Sequence, residues 1–372
     1  MRFHLVIQLL PFRKVKHNYT GIIFYKMINM QTTISENGTQ KYAHYFPIVI
    51  RLVTGWLYFS ALWRRTVLMH KLDPNGVGYI GEKFNTFLPN ALGIKPMIQF
   101  MIDHPDILWI SMVVFSIIEG IVGLMLISGF LTRLGGIGAL GLAFGILLGA
   151  GWLGTTCLDE WQIGVFGLIT GAYLALSGGG QWSVDNWLIN RNAAVTRKKW
   201  FQFVGGRDLA DILPARKIKP IVLGIALSLA FIALATNQIF HGGVWGKLHN
   251  LSKNPKLELT AVKRLPQAIS FDAMRVQGID TYGSFVVEVR LVNPDGNVVQ
   301  TWDEQSLSKL DKAMIINHHI LKIKTAPHGL VFPLGAKATI ALPLNNGIII
   351  PDGSKLVLED VSGVKWNAPI KQ

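Results

Sequence analysis
Long apolar runs separated by short polar intervals fill the first two thirds of the chain, and short β-patterned segments follow. Five runs come close to the roughly 20 helical residues that cross a bilayer core of about 30 Å. They are Phe46–Leu62, Ile107–Leu131, Leu134–Leu153, Trp161–Ser177 and Ile221–Phe240. They predict a membrane α-helical bundle of four transmembrane helices, then a fifth, anchoring transmembrane helix. In the third run Gly141, Gly145 and Gly149 recur every four residues, and Gly167 and Gly171 do so in the fourth. Small residues at that spacing let helix backbones approach closely in lipid, so helix contacts are expected there.

Beyond the fifth run the period changes. Residues 242–256 read as a linker. Ser284–Val292 is a strand, Asn293–Asn297 a turn with Pro-Asp-Gly chemistry, and Val298–Trp302 the returning strand. Further strands are expected at Ile315–Ile323, Ala338–Leu342, Gly347–Ile350 and Lys355–Glu359, with a turn at Pro351–Ser354. Short strands separated by turns predict an all-β, sandwich-like domain. His318 and His319 are adjacent, so in a strand they face opposite sides, which argues against a shared metal. The loop 70–105, with His70, Asp73 and His104, holds an amphipathic stretch from Tyr79 to Met101, broken by Pro89 and Pro96. It is expected along the outer interface or capping the bundle. Its histidines lack metal-ligand spacing, and no metal site is expected.

Charge orients the bundle. Lys and Arg stay preferentially on the cytoplasmic side. Residues 1–45 carry six basic residues against Glu36, and 178–219 carry eight, including Arg197, Lys198 and Lys199, against three acids. Arg133 lies between the second and third runs, whereas Asp159 and Glu160 mark the turn between the third and fourth. This predicts an inner-membrane, multi-pass chain with its N-terminus inside and an extracytoplasmic C-terminal domain. Arg64 and Arg65, at the outer end of the first helix, run against the trend. The net charge of +14 then reads as an orientation signal beside anionic lipid, not as nucleic-acid binding. A mean hydropathy of +0.35 with 16% charged residues agrees. The expected organisation is a leader over 1–44, a four-helix domain over 45–190, a basic cytoplasmic linker over 191–219, a fifth helix over 220–241 and a β domain over 242–372. Met27 and Met30 offer later starts, so the leader is read as an extension without assigned function. Asn37-Gly38-Thr39 and Asn250-Leu251-Ser252 fit the short glycosylation pattern.

Candidate chemistry is sparse. Glu119 lies mid-way along the second run and Arg51 slightly to the cytoplasmic side in the first, offset by about 6 Å of helix rise. Intramembrane charges face a bundle interior or a pathway, so an Arg51–Glu119 pair is expected, as a structural ion pair or a quinone or proton site. Arg64 and Arg65 are headgroup anchors or the donors of a small-oxyanion site. Cys157, the single cysteine, is an inert buried thiol or a reactive one; it excludes an intramolecular disulfide and a Cys-based iron–sulfur cluster. No haem motif and no dinucleotide or flavin fingerprint is present.

The chain resembles DoxD, the membrane subunit of thiosulfate:quinone oxidoreductase within the wider DoxX family. The residues that carry the likeness are Arg51–Trp56, Glu119-Gly120, Gly129–Leu134, Thr156–Trp161 and Gly178–Asp185. The tail, with one anchor helix and Gly329–Ala336, resembles the partner subunit DoxA, so the chain reads as a fusion. The resemblance implies oxidation of thiosulfate to tetrathionate, with electrons passed to a dissociable membrane quinone and on to a terminal oxidase. For that activity the chemistry of the residues themselves suggests that Arg64 and Arg65 hold thiosulfate, that Cys157 contacts its sulfur or forms a transient sulfur adduct, and that Asp159 or Glu160 manages protons. Arg51, Glu119 and Trp161 belong to the quinone or proton pathway, with Trp56, Trp109 and Trp152 as further ring neighbours. A homo-oligomer or a terminal oxidase is an expected partner. The alternatives are a transporter of a small sulfur compound and a scaffold for an exported redox partner.

Overall fold
A computed structural model describes residues 40–154, 159–206, 209, 212–279 and 284–371. Met1–His44 and Tyr45–Gln372 are two separate compact units. In the first, Gln40–Ala43 is one helical turn. Asn37-Gly38-Thr39 lies outside the described residues.

The second unit begins with helix α1 (Pro47–Trp63), which runs on into a π-helical turn, Arg64–Leu68. Two short helices follow, α2 (Glu82–Phe87) and α3 (Lys95–Asp103). Three long ones come next: α4 (Pro105–Ser128), α5 (Thr132–Ala150) and α6 (Asp159–Ser177). The short α7 (Val184–Asn190) and α8 (Lys199–Val204) lead to α9 (Ala215–Phe240). Among the described residues three helices are long and apolar enough to cross a membrane: α4, α5 and Arg216–Phe240 of α9. The first and fourth expected runs are helical as well. However, α1 stops at 17 residues before its π turn, and α6 opens on Asp159 and Glu160.

Glycine brings the helices together in two pairs. A Cβ at Gly123 of α4 would lie 2.5 Å from the backbone nitrogen of Phe59 in α1. One at Gly136 of α5 would lie 2.6 Å from that of Ala175 in α6, and one at Gly171 would lie 2.6 Å from that of Leu140. These are backbone-to-backbone approaches, which no other residue permits. The expected contact face of α5 is corrected here. Gly141 and Gly145 meet open space, and Gly149 makes ordinary contact with Phe87 and Ile94. A four-residue repeat marks one face of a helix but does not say which face meets a neighbour; on α5 that face runs through Gly136, Ala143 and Leu147.

The tail forms two antiparallel sheets. The first has the order β1 (Lys256–Arg264), β2 (Ala268–Gln277), β8 (Lys337–Pro343), β5 (Ile315–Asn317). The second has the order β10 (Lys365–Pro369), β9 (Lys355–Asp360), β3 (Ser284–Val292), β7 (Gly329–Phe332), β6 (Lys324–Ala326). β4 (Val298–Trp302) also pairs with β3. Phe271 and Ile340 from one sheet and Val289, Leu291 and Leu358 from the other are fully buried in a shared core. The expected hairpin of β3 and β4 is present with its predicted limits. The other strand expectations change at several points. The linker already enters β1 at Lys256, and β2, which alternates buried and half-buried positions, was not anticipated. Gly347–Ile350 is not a strand. Ile315–Ile323 pairs only to Asn317, whose side chain accepts from the Ile323 amide (2.7 Å) and donates to its carbonyl (3.0 Å), closing a loop.

That loop seats the β domain on the helices. Asn85 of α2 is fully buried and accepts from the Leu321 amide at 3.3 Å. Gly335, at φ +78, lies so close to Asn85 that a Cβ would stand 1.7 Å from its carbonyl oxygen. The Asn90 amide donates to Val276 (3.1 Å), and the Trp152 indole donates to Phe87 (3.3 Å), tying α5 to the same cap. The stretch Tyr79–Met101 therefore caps the bundle and carries the β domain above it. The two histidines part: His318 Nε2 meets Thr339 Oγ1 at 2.7 Å, and buried His319 meets the Gly335 carbonyl through Nδ1 at 2.8 Å. Burial lowers the His319 pKa; the Gly335 carbonyl and Asp103 of α3 oppose this, and Lys337 and His318 reinforce it.

Two outcomes follow from this packing. Gly171→Leu should destabilise the bundle by about 1–3 kcal/mol, the range for overpacking, while Gly141→Leu stays near neutral. Thermal unfolding in detergent measures both, and equal losses would contradict the helix pairing. His319 takes up a proton more readily when unfolded, so its contribution is complete above about pH 6.5 and is lost as pH falls below that. The melting temperature of wild type should fall more steeply than that of His319→Gln between about pH 7.5 and 5; parallel profiles would exclude His319 as the source.

Candidate functional site
The two close helix pairs leave a gap between α1 and α6. It is a cavity of about 780 Å³, walled mainly by apolar side chains of α1, α5 and α6. Leu57, Ile163 and Phe166 line it and are exposed, so it opens sideways between α1 and α6. Its polar lining is small: Arg64, Arg65, Glu119, Tyr58, Thr54, Thr170 and Gln162, with Trp161 at the start of α6.

The helix register explains why charge collects there. Leu62 packs on Gly120 and Phe59 on Gly123, so α1 and α4 run antiparallel. Arg65 thereby comes level with Ser116 and Glu119, about 20 Å of rise into α4. Its Nη1 donates to Glu119 Oε2 and to Ser116 Oγ (3.2 Å), and its guanidinium lies 5.9 Å from the Phe115 ring centre. The side chains are 17% and 5% exposed, so this is a largely buried ion pair. The π turn is closed by the Met69 amide donating to the Arg64 carbonyl at 3.0 Å. Such a turn widens the helix by one residue, often at functional positions. Arg64, in the same turn, is exposed and makes no ion pair among the described residues. The Tyr58 hydroxyl donates to the Ala139 carbonyl at 2.9 Å, bridging α1 to α5 beneath the pair.

Arg51 is placed differently from expectation. It does not pair with Glu119. Its guanidinium donates to the carbonyls of Gly179 (2.6 Å) and Trp182 (2.5 Å), in the turn after α6. Asp185 of α7 lies near it and accepts from the amides of Leu131 (2.8 Å) and Thr132 (2.9 Å), which open α5. Burial pushes the Asp185 carboxyl up, while those backbone bonds and the Arg51 charge pull it back. Leu131 is held at φ +49, a left-handed conformation costing about 1–2 kcal/mol that the Asp185 bond offsets. Arg51 and Asp185 therefore tie three turns together at the end of the bundle away from the β domain. The physical reason is reach: Arg65, carried inward by the register, occupies Glu119 first.

The remaining expected residues divide. Cys157, with Thr155 and Thr156, lies outside the described residues. Asp159 is exposed and Glu160 half-buried in the first turn of α6, directly before the cavity-lining Trp161, and the carboxylate on the cavity wall is Glu119. Trp161 lines the cavity, and its indole donates to Thr236 Oγ1 of α9 at 3.0 Å. Trp152 is fully buried in the cap, Trp56 is exposed on the outside of α1, and Trp109 donates to the Leu72 carbonyl at 3.0 Å; none lines the cavity. Among the described residues no group of three or more His, Cys, Asp or Glu comes together as metal ligands. Tyr58, Ser116 and Thr170 went unread in the sequence. A signal for Tyr58 exists: Arg51, Thr54, Tyr58 and Arg65 are polar positions at helical spacing within an apolar run.

Residues 46–219 match the family described as TQO small subunit DoxD, and residues 240–369 match that described as TQO small subunit DoxA. Residues 46–219 thus belong to the first family and residues 240–369 to the second, within one chain. TQO is thiosulfate:quinone oxidoreductase, so the two halves support a function of that type, carried by a single membrane protein. The cavity with its ion pair lies in the DoxD half, and the two-sheet domain makes up the DoxA half.

The geometry makes the Arg65–Glu119 pair measurable. Removing either partner alone should destabilise the protein by about 3–5 kcal/mol, because it leaves a buried charge uncompensated. Arg65→Leu with Glu119→Leu should cost much less than the two single changes together. A double-mutant cycle that finds its coupling between Arg51 and Glu119 instead would reverse the assignment.

Proposed function
We propose that the chain oxidises thiosulfate to tetrathionate and that the cavity between α1 and α6 takes the ring of a membrane quinone. Two thiosulfate ions lose one electron each and join through a new S–S bond. A quinone bound here supplies a two-electron, two-proton acceptor. The observation that carries the reading is the Arg65–Glu119 pair on the wall of a sideways-opening, mostly apolar cavity in a DoxD chain. A volume of about 780 Å³ falls in the usual range for small-molecule sites.

The residues divide the work. Arg65, held by Ser116 and Glu119, presents its remaining N–H donors to a ring oxygen. Glu119, a carboxylate in the ion pair, takes up a proton and passes it on beside that donor, as general acid–base chemistry requires. Tyr58, whose hydroxyl hydrogen is held by the Ala139 carbonyl, lines the cavity, and Trp161 flanks the ring. Arg64, exposed at the cavity edge and in no ion pair among the described residues, attracts the thiosulfate dianion. Cys157 contacts the substrate sulfur, and Asp159 and Glu160 serve proton exchange at the start of α6.

In this arrangement α1, α4, α5 and α6 are four spans in the inner membrane and α9 is a fifth. The N-terminus and the basic segment 191–219 are cytoplasmic, and the β domain is extracytoplasmic. A terminal oxidase consumes the reduced quinone.

Purified chain in detergent with lipid should reduce a soluble quinone analogue only when thiosulfate is added. Glu119→Gln should lower kcat by about 100-fold or more, the scale of general acid catalysis. Arg64→Ala should raise the KM for thiosulfate with a smaller effect on kcat. An intact wild-type protein that transfers no electrons, with native lipid and quinone restored, would refute the enzyme and favour transport or scaffolding.

A further inference from the structure
Residues 151–154, which follow α5, are tied down by groups that do not belong to the helix bundle. Past the C-terminus of α5, backbone carbonyls have no partner within the helix and need donors from elsewhere. Buried His241, immediately after α9, approaches the Gly151 carbonyl through Nε2 at 3.0 Å. Asn250 Nδ2 donates to the Gly154 carbonyl at 3.0 Å, and Ser252 Oγ donates to the same oxygen. At the start of α6, Trp161 is held by Thr236 of α9. His241, Asn250 and Ser252 all fall in the DoxA half. The Asn-Leu-Ser glycosylation pattern is thereby accounted for otherwise, since the Asn250 amide is engaged with Gly154.

We propose that the DoxA half is a positioning unit for the rim of the quinone cavity, with His241, Asn250 and Ser252 as positioning residues. The inference rests on the function proposed above. It differs from a plain anchoring role in what it leaves untouched. The glycine contacts between α5 and α6 and the Arg65–Glu119 pair lie within the bundle and need no DoxA residue. Loss of the clamp therefore loosens Trp152 and Leu153, against whose buried cluster Ile146, Trp161 and Val165 of the cavity wall pack, and spares the cavity floor. The unlike halves of the chain thus build one site: DoxD supplies its reactive wall and DoxA fixes its edge.

The test uses the full chain in detergent with lipid. Asn250→Ala with Ser252→Ala should raise the KM for the quinone analogue by about 10- to 100-fold, the scale of small misplacements at a site. The effect on kcat should be smaller, and the melting temperature should stay close to wild type. Restoring the hydroxyl donor as Ser252→Thr should recover much of the loss. Thr236→Val should raise the same KM, by freeing Trp161. Unchanged constants in a folded double variant, or loss only in proportion to unfolded protein, would overturn the inference. If wild type shows no thiosulfate-dependent reduction, the functional reading fails, and amide hydrogen exchange then decides on the clamp. Faster exchange over residues 151–161 in the double variant, with α4 unchanged, upholds it; identical exchange removes it.

Discussion
A charge inside an apolar helix bundle has to find its counter-charge within side-chain reach, and the arrangement of this protein follows from how that is met. Glu119 stands mid-way along α4, and Arg65 arrives beside it because α1 runs antiparallel to α4 and ends level with its middle. Desolvating either group alone would cost several kcal/mol. The pair, with Ser116 and the Phe115 ring, makes a compact polar point in otherwise apolar surroundings. Arg51 meets the same constraint at the other end of the bundle, against two carbonyls and Asp185.

The cavity is a consequence of uneven helix packing. Gly123 draws α4 onto α1, and Gly136 and Gly171 draw α5 and α6 together until their backbones touch. Where α4 meets α5, side chains intervene: Leu126 fills the space beside Gly135, and Val122 that beside Gly138. Two tight pairs joined through α4 and α5 leave α1 and α6 apart, and Arg64, Arg65, Glu119 and Tyr58 border the opening. A polar point beside a lateral opening suits a ligand that is mostly apolar with a few oxygen acceptors, which is the chemistry of a quinone.

The β domain is more than an appendage. Asn85, Asn90 and Gly335 lock it onto the cap formed by α2 and its following turn, and Trp152 passes that contact to α5. Leu334 of the β domain enters the same buried cluster as Trp152, Leu153 and Phe240. Continuity of this kind gives a physical reason for the two subunit families to work within one chain, since each half satisfies backbone groups that the other leaves open.

Periodicity by itself determined the helices near Phe46–Leu62, Ile107–Leu131, Leu134–Leu153, Trp161–Ser177 and Ile221–Phe240, and the change to strands beyond them. It also determined the β3–β4 hairpin, because alternation and turn chemistry are local properties. The family likeness was legible too, and so was the presence of Arg65, Glu119 and Trp161 among the functional candidates. Tertiary structure alone decided that Glu119 pairs with Arg65 and not Arg51, that Gly136 rather than Gly141 makes the close contact, and that Asn317 ends its strand early. Each of these depends on the axial shift and rotation of one element against another. Hydrophobicity along a chain records which residues avoid water; it does not record the depth at which two helices meet, and that depth assigns partners to buried charges.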